Sequence, residues 1–162
     1  MPVKRHYFEP GGVYHITFKT RSGQSFLASG AAKEIILQTI GAYGARLGYH
    51  IIGYAIMDTH VHAVIRLGAN TTASEVVRAW KGFSARKLQS LLNRQGSIWQ
   101  DRYADNHIKG KGELQRVLEY IHNNPVKTGK VRRQTDYAWS SAQAYAGRPS
   151  NVLPVNTDWG AG

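Results

Sequence analysis

The chain has 162 residues, of which 42% are hydrophobic, 19% are charged and none is cysteine. This length suits one domain with a sizeable core, and the composition excludes wholesale disorder, a collagen-like repeat, a coiled-coil rod and any cysteine chemistry. Lysine and arginine number 21 against 10 acidic residues, which gives a formal net charge of +11. A domain this basic is expected to bind a polyanion such as DNA, RNA or an anionic surface.

The first half of the chain predicts the order strand, helix, strand, strand. Alternating hydrophobicity predicts the first strand, and Ser29 and Gly48 are suited to begin and end the helix. These elements are predicted at residues 13–19, 31–47, 49–57 and 60–67. No apolar run in the sequence is long enough to cross a bilayer and no secretory leader is seen, so we expect a cytoplasmic protein without a membrane partner.

The second half predicts helix, strand, helix. Thr72 and Glu75 form a capping box at the start of the long helix, and Pro125 is predicted to end the last one. These elements are predicted at residues 72–94, 98–108 and 113–123. The complete order is the ferredoxin-like βαββαβ arrangement, an α+β fold with an antiparallel sheet, helices on one face and an extra C-terminal helix. Residues 1–147 would form this single domain, and residues 148–162 a flexible tail.

The third strand carries two histidines on one face. Side chains alternate along a strand, so His60 and His62 share a side, while the opposite side is wholly apolar. Two imidazoles at this spacing can hold one metal ion. A pair of surface or cross-strand histidines is the alternative, and these residues alone leave it open.

The last helix presents Tyr120 and Asn124 as neighbours. They are separated by four positions, and Tyr120 lies beside the apolar stripe rather than within it. The alternative interpretation is a tyrosine at the rim of the core, with an asparagine near the helix end before Pro125.

Several segments in the same order resemble one protein family. GYAIMDTHVH at 53–62 resembles the His-hydrophobe-His (HUH) motif of the single-tyrosine transposases, and YIHNNPV at 120–126 resembles their nucleophile helix. Further segments resemble the branch of REP-associated tyrosine transposases: GVYHIT at 12–17, IWQDRY at 98–103 and WSSAQAY at 139–145. The resemblance covers roughly residues 10 to 147.

This resemblance implies a metal-dependent enzyme that nicks and joins single-stranded DNA. Tyr120 would be the nucleophile and would form a 5′-phosphotyrosine intermediate. His60 and His62 would bind Mg²⁺ or Mn²⁺, with Asn124 as third ligand at a position where mobile insertion-sequence members often have glutamine. The substrate would be REP-type hairpin DNA in the nucleoid. We expect a monomer, and the sequence leaves a dimer possible.

The basic residues predict where DNA lies, and their excess predicts steeply salt-dependent binding. The candidates come from the N-terminal lead, the long helix and the approach to the nucleophile helix: Lys4, Arg5, His15, Arg78, Lys81, Arg86, Lys87, Lys109, Lys111 and Arg116. The alternative function is a non-catalytic ferredoxin-like nucleic-acid-binding module with incidental histidines. The aromatic stacking motif of the RRM, the best-known module of that kind, is not found in the sequence.

Overall fold

A computed structural model of the chain describes residues 9, 11–148 and 153–159. Its strands and α-helices are β1 (Val13–Thr20), α1 (Gly30–Leu47), β2 (Tyr49–Ile56), β3 (His60–Leu67), α2 (Ala73–Leu91), β4 (Trp99–Ile108), α3 (Lys111–Lys127) and α4 (Ala142–Tyr145). The order confirms the predicted βαββαβ arrangement with an extra helix. Two of the predicted DNA contacts, Lys4 and Arg5, lie outside the described residues.

The sheet has the strand order β2-β3-β1-β4, and every neighbouring pair is antiparallel. The two central strands are therefore β3 and β1. Their register pairs Thr17 with His62 and Lys19 with His60. Because directly paired residues point to the same side of a sheet, one face gathers the polar side chains of both strands.

The other face of the sheet carries α1 and α2 and holds the larger core. Trp80 of α2 is fully buried there, its ring 5.9 Å from that of Phe18. The indole Nε1 donates a hydrogen bond of 2.9 Å to the Tyr49 hydroxyl, so the one polar atom of the indole is satisfied. Burial of a large apolar side chain contributes about 2 kcal/mol or more, so the many buried side chains of this layer stabilise the fold strongly.

The polar face is partly covered by α3, whereas the predicted fold allowed this face to remain open. Leu114, Leu118 and Ile121 of α3 form a second core with apolar side chains of β2 and β3. The helix comes close because β2 has Gly53 at the contact. A Cβ at Gly53 would lie 2.5 Å from Leu118 Cδ2 and 3.2 Å from the Ser141 hydroxyl oxygen.

The prediction that Pro125 ends the last helix is wrong, since α3 continues through it to Lys127. Proline lacks an N–H and therefore removes a single helical hydrogen bond. The next turn still closes, because the Thr128 N–H donates to the Asn124 carbonyl at 3.0 Å. Asn124 therefore remains within a regular helix, with the backbone held on both sides of it.

The segment after α3 covers the outer edge of β2. Three main-chain hydrogen bonds of 2.8–2.9 Å cross this edge. They run from the N–H of Ile56 to the carbonyl of Trp139, from Ser141 to Tyr54 and from Asn156 to Ile51. Leu153, within the segment predicted to be a tail, is buried in the larger core. In the part of the chain that the structure describes, no helix is both long and apolar enough to span a membrane.

An ion cluster anchors the turn between β2 and β3. Asp58 accepts from Lys33 at 2.8 Å and from Lys130, which follows α3. Burial acts to raise the pKa of Asp58, and the hydrogen bonds and charges of Lys130 and Lys33 outweigh it, so that pKa lies below its usual value. The turn that precedes His60 is thus tied to α1 and to the segment that follows α3.

We expect Gly53→Ala to lower the free energy of unfolding by about 1–3 kcal/mol, because the added methyl group overpacks the contact with α3. In a Leu118→Ala background the same change should cost less, since the clashing methyl is then absent. Urea unfolding of the wild type, both single variants and the double variant measures this coupling. If Gly53→Ala lowered the free energy of unfolding equally in both backgrounds, the close contact between Gly53 and Leu118 would be contradicted.

Candidate active site

The side chains of His60 and His62 lie on the α3 side of β3. Their ring centroids are 4.9 Å apart and the ring planes are perpendicular, at 88°. The strand fixes this separation, since β3 is a central strand hydrogen-bonded on both edges. The two imidazoles are therefore held as a rigid pair, as the spacing in the sequence predicted.

His62 is the more deeply placed ring, with only 4% of its surface exposed. Its Nδ1 lies 3.0 Å from His15 Nε2 and 3.1 Å from the Thr17 hydroxyl oxygen. Its Nε2 is buried and has no hydrogen-bond partner among the described residues. Leaving such an atom unpaired is costly, which marks it as a position for a ligand.

His60 lies nearer the surface and is held by two polar neighbours. Its Nδ1 lies 3.0 Å from the Thr59 hydroxyl oxygen, and the Asn124 side chain lies beside the ring. In both histidines Nδ1 is thus engaged by a neighbouring side chain. In His62, Nε2 remains as the ring nitrogen that can bind a cation.

Burial keeps both imidazoles neutral near pH 7. It lowers the pKa of His62 to about 3, helped by the nearby His15, His60 and Lys19. Burial and the charge of Lys19 also lower the pKa of His60, and they outweigh the effect of the neighbouring Asn124 side chain, which raises it. Neutral imidazole is the form that coordinates metal ions.

Asn124 supplies a third donor from α3. Its Oδ1 is buried and, like His62 Nε2, has no hydrogen-bond partner within the described ranges. Two imidazole nitrogens and an amide oxygen form a neutral donor set that fits a divalent cation. Among the described residues, no group of three or more histidine, cysteine, aspartate or glutamate side chains is placed to hold a metal ion.

Tyr120 stands at the open side of this group. Its side chain is 54% exposed, and its ring centroid lies 5.8 Å from that of His62 in an edge-to-face arrangement. It lines a cleft of about 320 Å³ together with Asn124 and other α3 side chains, including Arg116 and Lys127. One chain therefore brings an accessible phenol next to the histidine pair, and basic side chains lie in the same cleft.

The basic residues predicted to contact DNA divide between two surfaces. Arg78, Arg86 and Lys87 are exposed on α2, which covers the face of the sheet away from the histidines. Lys109, Lys111 and Arg116 are exposed at the start of α3 and along it, on the histidine side. Only the second group lies on or just before α3, the helix that carries Tyr120.

Two lysines of the α2 group make contacts within the protein. Lys81 Nζ donates to the carbonyl oxygens of Gln100 and Arg102, at 2.6 and 3.0 Å, and thereby ties α2 to β4. Lys87 Nζ lies 4.5 Å from the ring centroid of Phe83. These geometries give both side chains a structural contact, and their contribution to DNA binding remains a prediction.

His15 was predicted to contact DNA; the structure places its ring against that of His62, and the DNA contact remains a prediction. The ring centroids are 5.2 Å apart. The sequence interpretation did not assign a role to Thr17 or Thr59, which contact the histidines directly. The alternation of side chains along β1 places Thr17 on the same side as His15, and the sequence shows this. The pairing of Thr17 with His62 depends on the order of the strands in the sheet, which the sequence pattern does not give.

Comparison with known proteins gives a family for this arrangement. The family model described as "Transposase IS200 like" matches residues 11–124, a range that contains both histidines, Tyr120 and Asn124. The chain is 24% identical over 169 residues to the REP-associated tyrosine transposase of Escherichia coli K12, and the match covers 100% of this chain and 97% of that protein. A second curated relative, from Haemophilus influenzae, is 28% identical over 150 residues, with 85% of this chain and 83% of its own length covered.

Solved structures show the same fold. One is of a REP-associated tyrosine transposase bound to a REP hairpin; it has a TM-score of 0.76 and 21% identity, and the match covers 100% of this chain and 97% of the other. The family match confirms the resemblance that the motifs carry in the sequence. The chain belongs to the IS200-like transposase family, whose members are enzymes that act on DNA.

Proposed function

We propose that this protein cleaves and rejoins single-stranded hairpin DNA of the REP type, with Tyr120 as the nucleophile. The observation that carries the proposal is the exposed Tyr120 ring placed 5.8 Å from the ring of His62 within one chain. The E. coli relative is named a REP-associated tyrosine transposase, and the related solved structure holds a REP hairpin. Both support a hairpin substrate.

Transposases of this family generally use a divalent metal ion. We propose that His60, His62 and Asn124 hold Mg²⁺ or Mn²⁺, since two of their donor atoms are buried without a partner in the described structure. When bound, such a cation neutralises charge on the scissile phosphate and polarises its phosphorus.

The covalent step belongs to Tyr120. Its phenolic oxygen forms a bond to the scissile phosphorus, and the bond from that phosphorus to the 3′ oxygen of the leaving strand breaks. The phenolic proton leaves Tyr120 and a proton ends on the released 3′ oxygen. The phosphodiester is exchanged for a 5′-phosphotyrosine, so a 3′-hydroxyl can reverse the reaction and rejoin a strand without ATP.

Arg116 is suited to hold the DNA backbone during this step. It lies four residues before Tyr120 and therefore on the same side of α3, within the cleft that both line. A guanidinium there can pair with a phosphate next to the scissile one. Lys109 and Lys111 at the start of α3 extend the positive charge towards the approaching strand.

A single chain contains all the groups named above. Since Tyr120, both histidines and Asn124 lie together within it, no partner has to supply the nucleophile. We propose that the protein acts as a monomer on DNA in the nucleoid.

The Tyr120→Phe variant should form no covalent adduct with a labelled REP hairpin oligonucleotide in Mn²⁺, whereas the wild type should form one. The variant should bind the hairpin with affinity within about 3-fold of wild type, because the lost hydroxyl is a small part of the contact area. Denaturing gel electrophoresis measures the adduct. Tyr43→Phe on α1 is a matched control and should retain cleavage. Binding by both proteins without cleavage by either would favour the non-catalytic module.

The His60→Ala and His62→Ala variants should both lose cleavage and bind Mn²⁺ more than about 100-fold more weakly, since each loses a proposed ligand. Both should keep the fold, because the two side chains lie off the larger core. Circular dichroism and calorimetric titration with Mn²⁺ separate these effects, and His50→Ala, at an exposed position of β2, is the control. Unfolding of both variants would indicate that the histidines serve packing instead.

Removal of divalent ions by EDTA should stop cleavage by the wild type while hairpin binding persists. Cleavage should return when Mg²⁺ or Mn²⁺ is added back in excess. Cleavage that continues undiminished in EDTA would remove the cation from the proposed reaction.

A further inference from the structure

The contacts around His62 distinguish its two ring nitrogens. Nε2 is the buried atom without a partner in the described structure, and Nδ1 is the atom that meets His15 and Thr17. A neutral imidazole carries its single proton on one nitrogen only. For Nε2 to offer a lone pair to a cation, the proton must stay on Nδ1, and it stays there only if an acceptor receives it.

Two acceptors lie within reach of Nδ1. His15 Nε2 is 3.0 Å away and the Thr17 hydroxyl oxygen is 3.1 Å away. The hydroxyl oxygen is also 3.3 Å from His15 Nε2, so the three groups form a triangle. The triangle is satisfied when His62 Nδ1 donates and the threonine hydroxyl points its proton at His15 Nε2.

The opposite arrangement would disable the site. If His15 carried its proton on Nε2 and donated it to His62 Nδ1, the proton of His62 would sit on Nε2 and face the position of the cation. The threonine cannot decide between the two arrangements, because a hydroxyl both donates and accepts. The tautomer of His15 therefore decides that of His62.

The strand register holds this contact in place. Thr17 pairs directly with His62, and His15 pairs with Val64, the next residue on the same side of β3. Both strands are central in the sheet, so the His15 ring is carried by backbone that is hydrogen-bonded on either side. A diagonal neighbour at this spacing is within reach of a long or aromatic side chain.

His60 provides an internal contrast. Its Nδ1 meets only a threonine hydroxyl, that of Thr59, among the hydrogen bonds seen at this nitrogen in the described residues. A hydroxyl can donate or accept, so this contact accommodates either tautomer of His60. The contact at His62 is made with a second imidazole, whose own tautomer determines whether it donates or accepts.

We propose that His15 is a positioning residue that holds the proton of His62 on Nδ1 and thereby presents His62 Nε2 to the divalent cation. This inference rests on the proposed cation site, and it gives His15 a role other than the direct DNA contact predicted from the sequence.

The test uses the full chain without DNA. His15→Phe keeps a ring of similar size and removes one of the two acceptors, leaving only the Thr17 hydroxyl, and we expect it to weaken Mn²⁺ binding about 10- to 100-fold by calorimetric titration. His15→Gln offers an amide oxygen and should recover part of the affinity. His50→Phe is the matched control on an exposed strand position and should bind Mn²⁺ like the wild type.

A second measurement uses the wild-type protein and does not depend on whether a variant folds. Nitrogen-15 NMR of the wild type without metal should show His62 protonated at Nδ1, and a proton on Nε2 would overturn the proposal. A folded His15→Phe variant that binds Mn²⁺ as tightly as the wild type would also overturn the proposal. If that variant also bound the hairpin more weakly in EDTA, His15 would be a DNA contact instead. If the wild type bound no Mn²⁺ at all, the cation part of the proposed function would fail, and the NMR result would still decide the role of His15.

Discussion

The contact between α3 and β2 at Gly53 is the constraint on which the site depends. His15, His60 and His62 come from the sheet, whereas Tyr120, Asn124 and Arg116 come from α3, so the chemistry requires this helix to lie close to the sheet. A strand with a larger residue at this position would push Leu118 outward, and Tyr120 would move with it. The ion cluster at Asp58 adds a second fixed point, because Lys130 ties the far end of α3 to the turn before His60. Helix and strand are thus held at two places, one on each side of the site.

The site combines deep burial with donor atoms that lack partners. In a core selected for stability alone, His62 Nε2 and Asn124 Oδ1 would be paired or replaced by apolar groups. The cost of leaving them unpaired is offset by the two packed layers of the sheet, above all by the core around Trp80. Burial also keeps the imidazoles uncharged, which is the form that binds a cation. Burial of these polar side chains therefore lowers the stability of the fold locally and at the same time suits them as cation ligands.

Much of this organisation was predictable from the sequence. Period-two alternation located β1 and β3 and put His60 and His62 on one face, while capping residues and turn glycines located the helices. The relation of Tyr120 to Asn124 followed from helical spacing. Other features depend on long-range pairing, which no local pattern reports: the contact of His15 and Thr17 with His62, the covering of the polar face by α3 and the attachment of Lys81 to β4. The prediction that the helix ends at Pro125 was wrong because a proline near a helix end removes one hydrogen bond and leaves the following turn intact.

The segment that follows α3 has an effect on the sheet as a whole. An outer strand with free main-chain groups is a template on which a second polypeptide can add a strand, and proteins commonly protect such strands. Here Trp139, Ser141 and Asn156 form main-chain hydrogen bonds with β2, and the Tyr137 and Tyr145 hydroxyls donate to β2 carbonyls. Addition of a further strand at β2 is therefore blocked. In this way the C-terminal segment limits how copies of the protein can meet in a crowded cell.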